Sequence, residues 1–222
     1  MAILHRAEVT PTKIELVQSW APHQPFFEGD VESELSVLAS FRYDDPLGEV
    51  GVETLIVRVA EDELLHIPVT YRGAPLDGGE PWLIGTMEHS VLGSRWVYDA
   101  TGDPAYIAEM ASAAFSGATE VDQFVQVDGT LEPRDSTAHA VGSGSVAREI
   151  AVPSPASVVS SFDGRATVVE TGDLKLAIAR RISEQTTDAL EGYEPEGSDA
   201  ASISATWEGQ HTPFRLAVVW QR

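Results

Sequence analysis

The chain has 222 residues, enough for one large domain or two small ones, and its 43% hydrophobic content supports a buried core rather than global disorder. Its 35 acidic against 14 basic residues give a net charge of −21, which argues against nucleic acid and anionic membrane surfaces as partners, since both are recognised through basic patches. With no cysteine, disulfides, thiolate catalysis and cysteine–metal sites are excluded.

The opening MAILHRAEVTPTK lacks the apolar core of a signal peptide, and no run reaches the length of a membrane span, so the expectation is a soluble cytoplasmic protein. Residues 3–9 suit a short strand. Thr10-Pro11 reads as a cap and first-turn proline opening a helix whose buried side is Ile14, Val17 and Trp20 or Ala21, ended by Pro22. Phe26-Phe27-Glu28-Gly29-Asp30 is an aromatic turn whose rings are expected to fold back over a sheet. Residues 35–43 form a strand stopped by Asp44-Asp45-Pro46, and residues 53–59 alternate as a half-buried strand should. After a turn at Glu61-Asp62-Glu63, Leu65, Ile67, Val69 and Tyr71 line one strand face. Pro68 points to an edge or a bulge there. Residues 35–84 thus read as an antiparallel meander with the first helix across it.

Residues 81–117 combine the most reactive side chains with the clearest local signals. Trp82, Leu83 and Ile84 read as a strand end stopped by Gly85. Asp103-Pro104 is an N-cap followed by a first-turn proline. Ile107, Met110, Ala111 and Ala114 then mark one helical face, and Gly117 supplies the stop. Between them lie Glu88, His89, Arg95, Trp96, Tyr98 and Asp99, the candidate ligand-binding residues. A carboxylate beside an imidazole can do acid–base work near neutral pH. The alternative is that Trp96 and Tyr98 are core aromatics, Arg95 and Asp99 a structural pair, and Glu88 and His89 point opposite ways on extended backbone.

Further on, residues 121–127 resume strand character before a turn at Asp128-Gly129. Residues 132–145, rich in small residues, read as a loop. The Gly142-Ser143-Gly144-Ser145 run is a weak match to a phosphate cradle, because no buried strand precedes it and no helix follows. Residues 166–182 form a hairpin about Gly172-Asp173, residues 183–200 an acidic loop, and residues 202–220 a last hairpin about Glu208-Gly209 with Phe214, Leu216, Val218 and Trp220 alternating. The six histidines are scattered without helical pairing, so no metal site is expected. Neither a nucleophile elbow nor a Walker loop occurs, and no cofactor is implied.

Several of these runs, taken in order, carry a family resemblance. WAPHQPFFEGD at residues 20–30, Ile84-Gly85, Tyr98-Asp99-Ala100 and Gly102-Asp103-Pro104 before a helix resemble the N-terminal cap of actinobacterial maltokinases and the related glucosamine kinases. EVGVETLIVRV and GTMEHSVLGSRWVYDA look most like stand-alone maltokinase N-terminal cap-like proteins. The hairpin ATVVETGDLKLAIARRI is similar to the two kinase strands that hold ATP phosphates. Aligning Arg180-Arg181-Ile182 puts Ala177 where the kinase pattern has its lysine, leaving Lys175, about 7 Å along the same face, as a relic nucleotide candidate.

The resemblance implies an α+β protein, in which a curved antiparallel sheet with packed helices over residues 1–117 precedes a mainly antiparallel β unit over residues 118–222. The catalytic aspartate and metal-binding motif of the kinase lobe are missing, so the resemblance implies no phosphoryl transfer by the chain itself. It implies a non-catalytic accessory role in maltose, trehalose, α-glucan or amino-sugar metabolism, with a sugar kinase, a glucan enzyme or a second copy as partner. A saccharide-binding protein, or an enzyme with its site near Glu88 and Asp99, is the alternative.

Overall fold

The computed structural model describes residues 2–5, 7–45, 47–61, 63–127 and 130–221. Pro46, Asp62 and Asp128-Gly129, read from sequence as parts of turns, and Arg6, read as part of the first strand, lie outside the described residues.

In chain order the elements are β1 (Ala2–His5), β2 (Val9–Thr10), α1 (Lys13–Trp20), β3 (Ser36–Asp44), β4 (Val50–Ala60), β5 (Glu63–Arg72), β6 (Leu83–His89), β7 (Gly93–Asp99) and α2 (Pro104–Ser116). They continue as β8 (Gln123–Val127), β9 (Thr130–Arg134), β10 (Ala138–Gly142), β11 (Val159–Phe162), β12 (Ala166–Thr171), β13 (Leu174–Ala179), β14 (Arg181–Ile182), α3 (Glu184–Glu191), β15 (Ala201–Trp207) and β16 (Gln210–Gln221). The protein is α+β and mainly antiparallel β, as expected.

Among the described residues the strands gather into three sheets. A curled sheet runs β2-β6-β7-β5-β4-β3, with β14 added to β5; a second runs β10-β15-β16-β13-β12-β11; a small third runs β1-β8-β9, in which β1 lies parallel to β8. Helix α1 packs on β6, while α2 lies between the two large sheets, touching β4 on one side and β10, β15 and β16 on the other. Helix α3 covers the outer face of β13 and β16. The alternation along β13 shows the layering: Leu176 and Ile178 join the core around α2, and Ala177 and Ala179 join Leu190 of α3.

Several expectations change. Helix α1 starts two residues later than Thr10-Pro11 implied. Its N-cap is Thr12, whose side chain accepts from Glu15 N while the Glu15 carboxylate accepts from Thr12 N, a reciprocal capping box. Strand β4 is buried without a break from Val52 to Val57 rather than half-buried, because α1 and α2 cover its two faces. Strand β5 is central and not an edge, so residues 35–84 are not a simple meander: β7, not β6, is its neighbour. Pro68 is tolerated because His66 N–H points toward β14, where it donates to Arg180 O. The Pro68 nitrogen, two residues on, faces the same side, in the gap between the β14 partners and the β7 partners. Leu83 and Ile84 begin β6 rather than end a strand, with an irregularity at Gly85.

Helix α2 follows the sequence signals closely. Asp103 accepts from Ala105 N at 2.9 Å, and Gly117 takes the left-handed C-cap with φ 71°. Its burial is wider than one face, since Tyr106, Ala113 and Phe115 are buried too, as a helix between two sheets requires. Residues 132–145 contain strands β9 and β10 in place of a loop. Their small residues serve close packing: a Cβ on Gly142 would lie 2.0 Å from Ala113 O, and one on Gly144 2.0 Å from Phe115 O. The amides of Gly144 and Val146 donate to the last carbonyls of α2, Ala114 and Phe115, so this glycine-serine run caps a helix C-terminus and cradles no phosphate. Residues 183–200 hold α3, nucleated by a Ser183–Thr186 capping box and docked through Leu190. The alternation read at residues 214–220 is overtaken by burial on both faces, since Leu216, Ala217, Val218, Val219 and Trp220 are all buried.

Candidate functional site

The β6–β7 hairpin spreads the sequence-predicted residues along its length. Glu88 and His89 sit at the hairpin tip. Glu88 accepts from Ser94 Oγ at 2.7 Å, and His89 Nδ1 accepts from the amides of Val91 and Leu92 at 3.2 and 3.1 Å, closing the turn. Arg95 is half-buried, its Nη1 lying where a side chain on Gly73 would have to go. Trp96 is half-buried opposite Arg72, and Tyr98 is buried with its hydroxyl accepting from Leu76 N at 2.9 Å. Asp99 ends β7, about 20 Å from the hairpin tip by strand rise. Arg95 and Asp99, about 13 Å apart on one strand, do not pair; Asp99 pairs with Arg180. Lys175 lies opposite Glu170 on the β12–β13 hairpin and donates to its carboxylate.

Arg180 is the hub that spacing could not show. It stands between β13, which belongs to one large sheet, and β14, which belongs to the other. Its carbonyl accepts from His66 N at 2.9 Å, and the preceding carbonyl, Ala179 O, lies 2.8 Å from His66 Nδ1. A carbonyl only accepts, so Nδ1 carries the imidazole proton. Burial, then the Arg180 charge, pushes the His66 pKa down to about 3 despite that hydrogen bond, so the ring is neutral. The Arg180 guanidinium is 1% exposed and grips Asp99 with two nitrogens, Nη1 to Oδ1 at 3.2 Å and Nη2 to Oδ2. Its Cζ stands 4.3 Å from the centroid of the Phe26 ring, a cation–π contact. Asp99 Oδ1 also accepts from Thr101 N and Oγ1 at 3.2 and 3.1 Å, and Ser160 Oγ reaches Thr101 Oγ1 at 3.3 Å.

This polar chain forms the floor of a cleft of about 210 Å³ between the curled sheet and the β11–β12 edge of the second sheet. Trp20, Phe26, Trp82 and Phe162 wall it. Phe26 is buried and meets Trp20 at 5.8 Å and Phe162 at 6.2 Å between centroids. Trp82 leans on the backbone of Gly102, where a Cβ would fall 2.0 Å from its Cδ2. A larger groove of about 630 Å³ lies along β8 and β9, but its polar groups answer one another: His139 Nδ1 lies 2.7 Å from Glu120, and Gln123 donates to Ser136.

Two further buried carboxylates hold the curled sheet. Glu53 takes Lys13 from α1, Arg42 from β3 and the Tyr71 hydroxyl, at 2.8, 3.0 and 2.8 Å. Burial raises its pKa, but the charges of Arg42 and Lys13 and the hydrogen bonds outweigh it and bring it down to about 2. Asp103, besides capping α2, accepts from Thr70 Oγ1 at 2.7 Å and from Arg72 Nε and Nη2 at 2.7 and 2.6 Å. These three acids fix α1, α2 and Arg180 to one sheet.

Of the sequence-predicted residues, only Asp99 reaches the cleft. Sequence reasoning missed Arg180, Thr101, Ser160 and Phe162 as its companions. The one available signal was the charge that directly follows the apolar run Leu176, Ala177, Ile178 and Ala179. Among the described residues no group of three or more histidines and carboxylates could hold a metal ion, and no helix is long and apolar enough to cross a membrane.

No curated protein matches the chain. The span that carries the aromatic turn, Glu53, Asp103 and the whole β6–β7 hairpin has a family match: residues 20–103 match the family model of the maltokinase N-terminal cap domain.

Proposed function

We propose that this is a non-catalytic accessory protein of maltose or α-glucan metabolism, or of the related amino-sugar metabolism, acting in the cytoplasm with a sugar kinase or glucan enzyme. The cap-domain match supports the maltose and glucan context. The observation that carries the non-catalytic part is the state of the phosphate-like hairpin. Ala177 stands, fully buried, where the kinase pattern has its lysine, and the nearby Lys175 is committed to Glu170 across the strands. Phosphoryl transfer depends on positioned cations around the phosphates, and this hairpin offers none at the required place. The edge strand β11 gives a partner a strand to pair with.

The test has two arms. Purified protein with ATP, Mg²⁺ and a panel of sugars should show no turnover; magnesium-dependent phosphorylation of any sugar overturns the proposal. Affinity capture should recover a sugar kinase or glucan-acting enzyme, and recovery of neither counts equally against it.

A second reading, a saccharide-binding protein, is favoured by one specific observation: the aromatic cleft above Asp99 and Arg180.

A further inference from the structure

We propose that the cleft between Trp82 and Phe162 is a binding site for a single uncharged sugar ring, with the Arg180–Asp99 pair and Thr101 as its hydroxyl-recognising floor. The inference deepens the saccharide-binding reading and rests on it.

Size comes first. At about 210 Å³ the cleft falls below the roughly 300–1,000 Å³ of sites for drug-sized ligands, so it takes one ring and not a nucleotide. Its walls are the half-buried rings of Trp20, Trp82 and Phe162, broad apolar faces suited to the C–H faces of a pyranose. The floor is polar but electrically balanced, because Arg180 and Asp99 neutralise each other. A phosphate would have to take the guanidinium from Asp99 and leave that carboxylate buried and unpaired, and the net charge of −21 repels anions at longer range.

The floor also keeps hydrogen-bonding capacity. Arg180 is 1% exposed, and its Nε has no acceptor in the protein. Buried donors are normally paired, and this one is closed to solvent, so a ligand oxygen reaches it only where the packing over it opens. Ser160 and Thr101 add hydroxyls that both donate and accept, the pattern that sugar hydroxyls match. The Phe26 ring under Arg180 and the Thr101 bonds to Asp99 hold the pair in place, so the floor is preorganised. Gly102 lets the Trp82 indole lie against the backbone and so sets the width of the opening.

The experiment titrates the full chain with glucose, maltose, glucose 1-phosphate and adenosine, reading melting temperature and tryptophan fluorescence. Trp20 and Trp82 report on occupancy directly. Glucose or maltose should raise the melting temperature and change the emission, with glucose 1-phosphate about tenfold weaker or worse and adenosine silent. Trp82→Ala should weaken sugar binding by about tenfold or more. Ser160→Trp, on the strand face that also carries Phe162, should fill the cleft and abolish sugar binding, its own sugar-free melting temperature being the reference for any shift. Sugar binding that survives both substitutions overturns the site but leaves the saccharide-binding reading standing. No response to either sugar overturns both, and a response to adenosine or to the phosphate ester in place of the neutral sugars overturns the ligand class.

Discussion

Inside the curled sheet, Glu53, His66, Asp99 and Asp103 lie among apolar neighbours, whereas the six-stranded sheet fills the same depth with Leu176, Ile178, Ala217 and Val219. Both sheets press on α2, so the difference is not one of position. The curled sheet must fasten separate pieces of chain: α1 through Lys13, the start of α2 through Asp103, and the β13–β14 junction through Asp99. Charged pairs fix direction and register in a way that apolar contact does not. The second sheet is two hairpins and a flanking strand on each side, and apolar packing between α2 and α3 suffices there. The aromatic cleft lies where the directional side of this division meets the apolar one.

The sharpest way to break the comparison is Arg180→Met. The substitution keeps most of the side-chain volume but leaves Asp99 buried without its cation, which should cost about 3–5 kcal/mol. The matching lesion in the second sheet, Leu176→Ala, should cost about 2–5 kcal/mol through cavity formation. The two differ in kind. Adding Asp99→Asn should recover much of the Arg180→Met deficit, because the stranded charge goes with it, while the same addition should not relieve Leu176→Ala. Urea unfolding of the single and double variants at one pH measures this, and no recovery by Asp99→Asn would show that the charged interior has no special role.

A smaller effect distinguishes the sheets by pH alone. His66 has an ordinary pKa of 6.5 and sits near 3 in the fold, so between these values the unfolded chain binds a proton that the fold refuses. Stability is complete on this account above pH 6.5 and is lost progressively toward pH 3. Glu53 behaves alike lower down, its contribution being lost between 4.5 and about 2. Glu109 on α2 has the opposite sign. Burial, then the Asp45 charge, raises it from 4.5 to about 7, so stability falls as pH rises through that window. Between pH 4.5 and 6.5 the His66 and Glu109 slopes oppose. His66→Asn should leave a profile that rises steadily as pH is lowered from 7 to 4.5, and Glu109→Gln should leave one that only falls. Denaturant midpoints taken every half unit of pH decide between these slopes, whatever each variant does to stability overall.

What the amino-acid order revealed divides along local and non-local chemistry. Helix α2 was legible because an Asp-Pro start, an apolar stripe and a Gly stop all lie within residues 103–117, and the β12–β13 and β15–β16 turns announced themselves through Gly172 and Gly209. The Arg180–Asp99 pair spans 81 positions, and Glu53 draws on Lys13, Arg42 and Tyr71, which lie 40, 11 and 18 positions away; no window contains such partners. Pro68 misled because a proline usually signals an edge, yet here a central strand changes neighbours at that point. Strand β10 was hidden because Ala138, Ala140 and Gly142 are small for a reason visible only from the α2 backbone above them.

The same contrast has a mild local form in the two capping boxes. Thr12–Glu15 opens α1, which is also tied down by the Lys13–Glu53 pair, and Ser183–Thr186 opens α3, which docks mainly through Leu190. Thr186 does more than cap: its hydroxyl also reaches Arg181 O at 2.8 Å, coupling the start of α3 to β14 and so to the residue after Arg180. Thr12→Ala and Ser183→Ala should each cost about 1 kcal/mol if capping alone matters. Because α1 keeps its ion pair and α3 has no such anchor in the charged sheet, Ser183→Ala should additionally raise amide exchange through α3 and β14, while Thr12→Ala leaves the exchange of α1 beyond its first turn unchanged. Equal, purely local exchange in the two variants would mean that α3 is held by apolar docking alone, and that the directional chemistry of the curled sheet stops at Arg180.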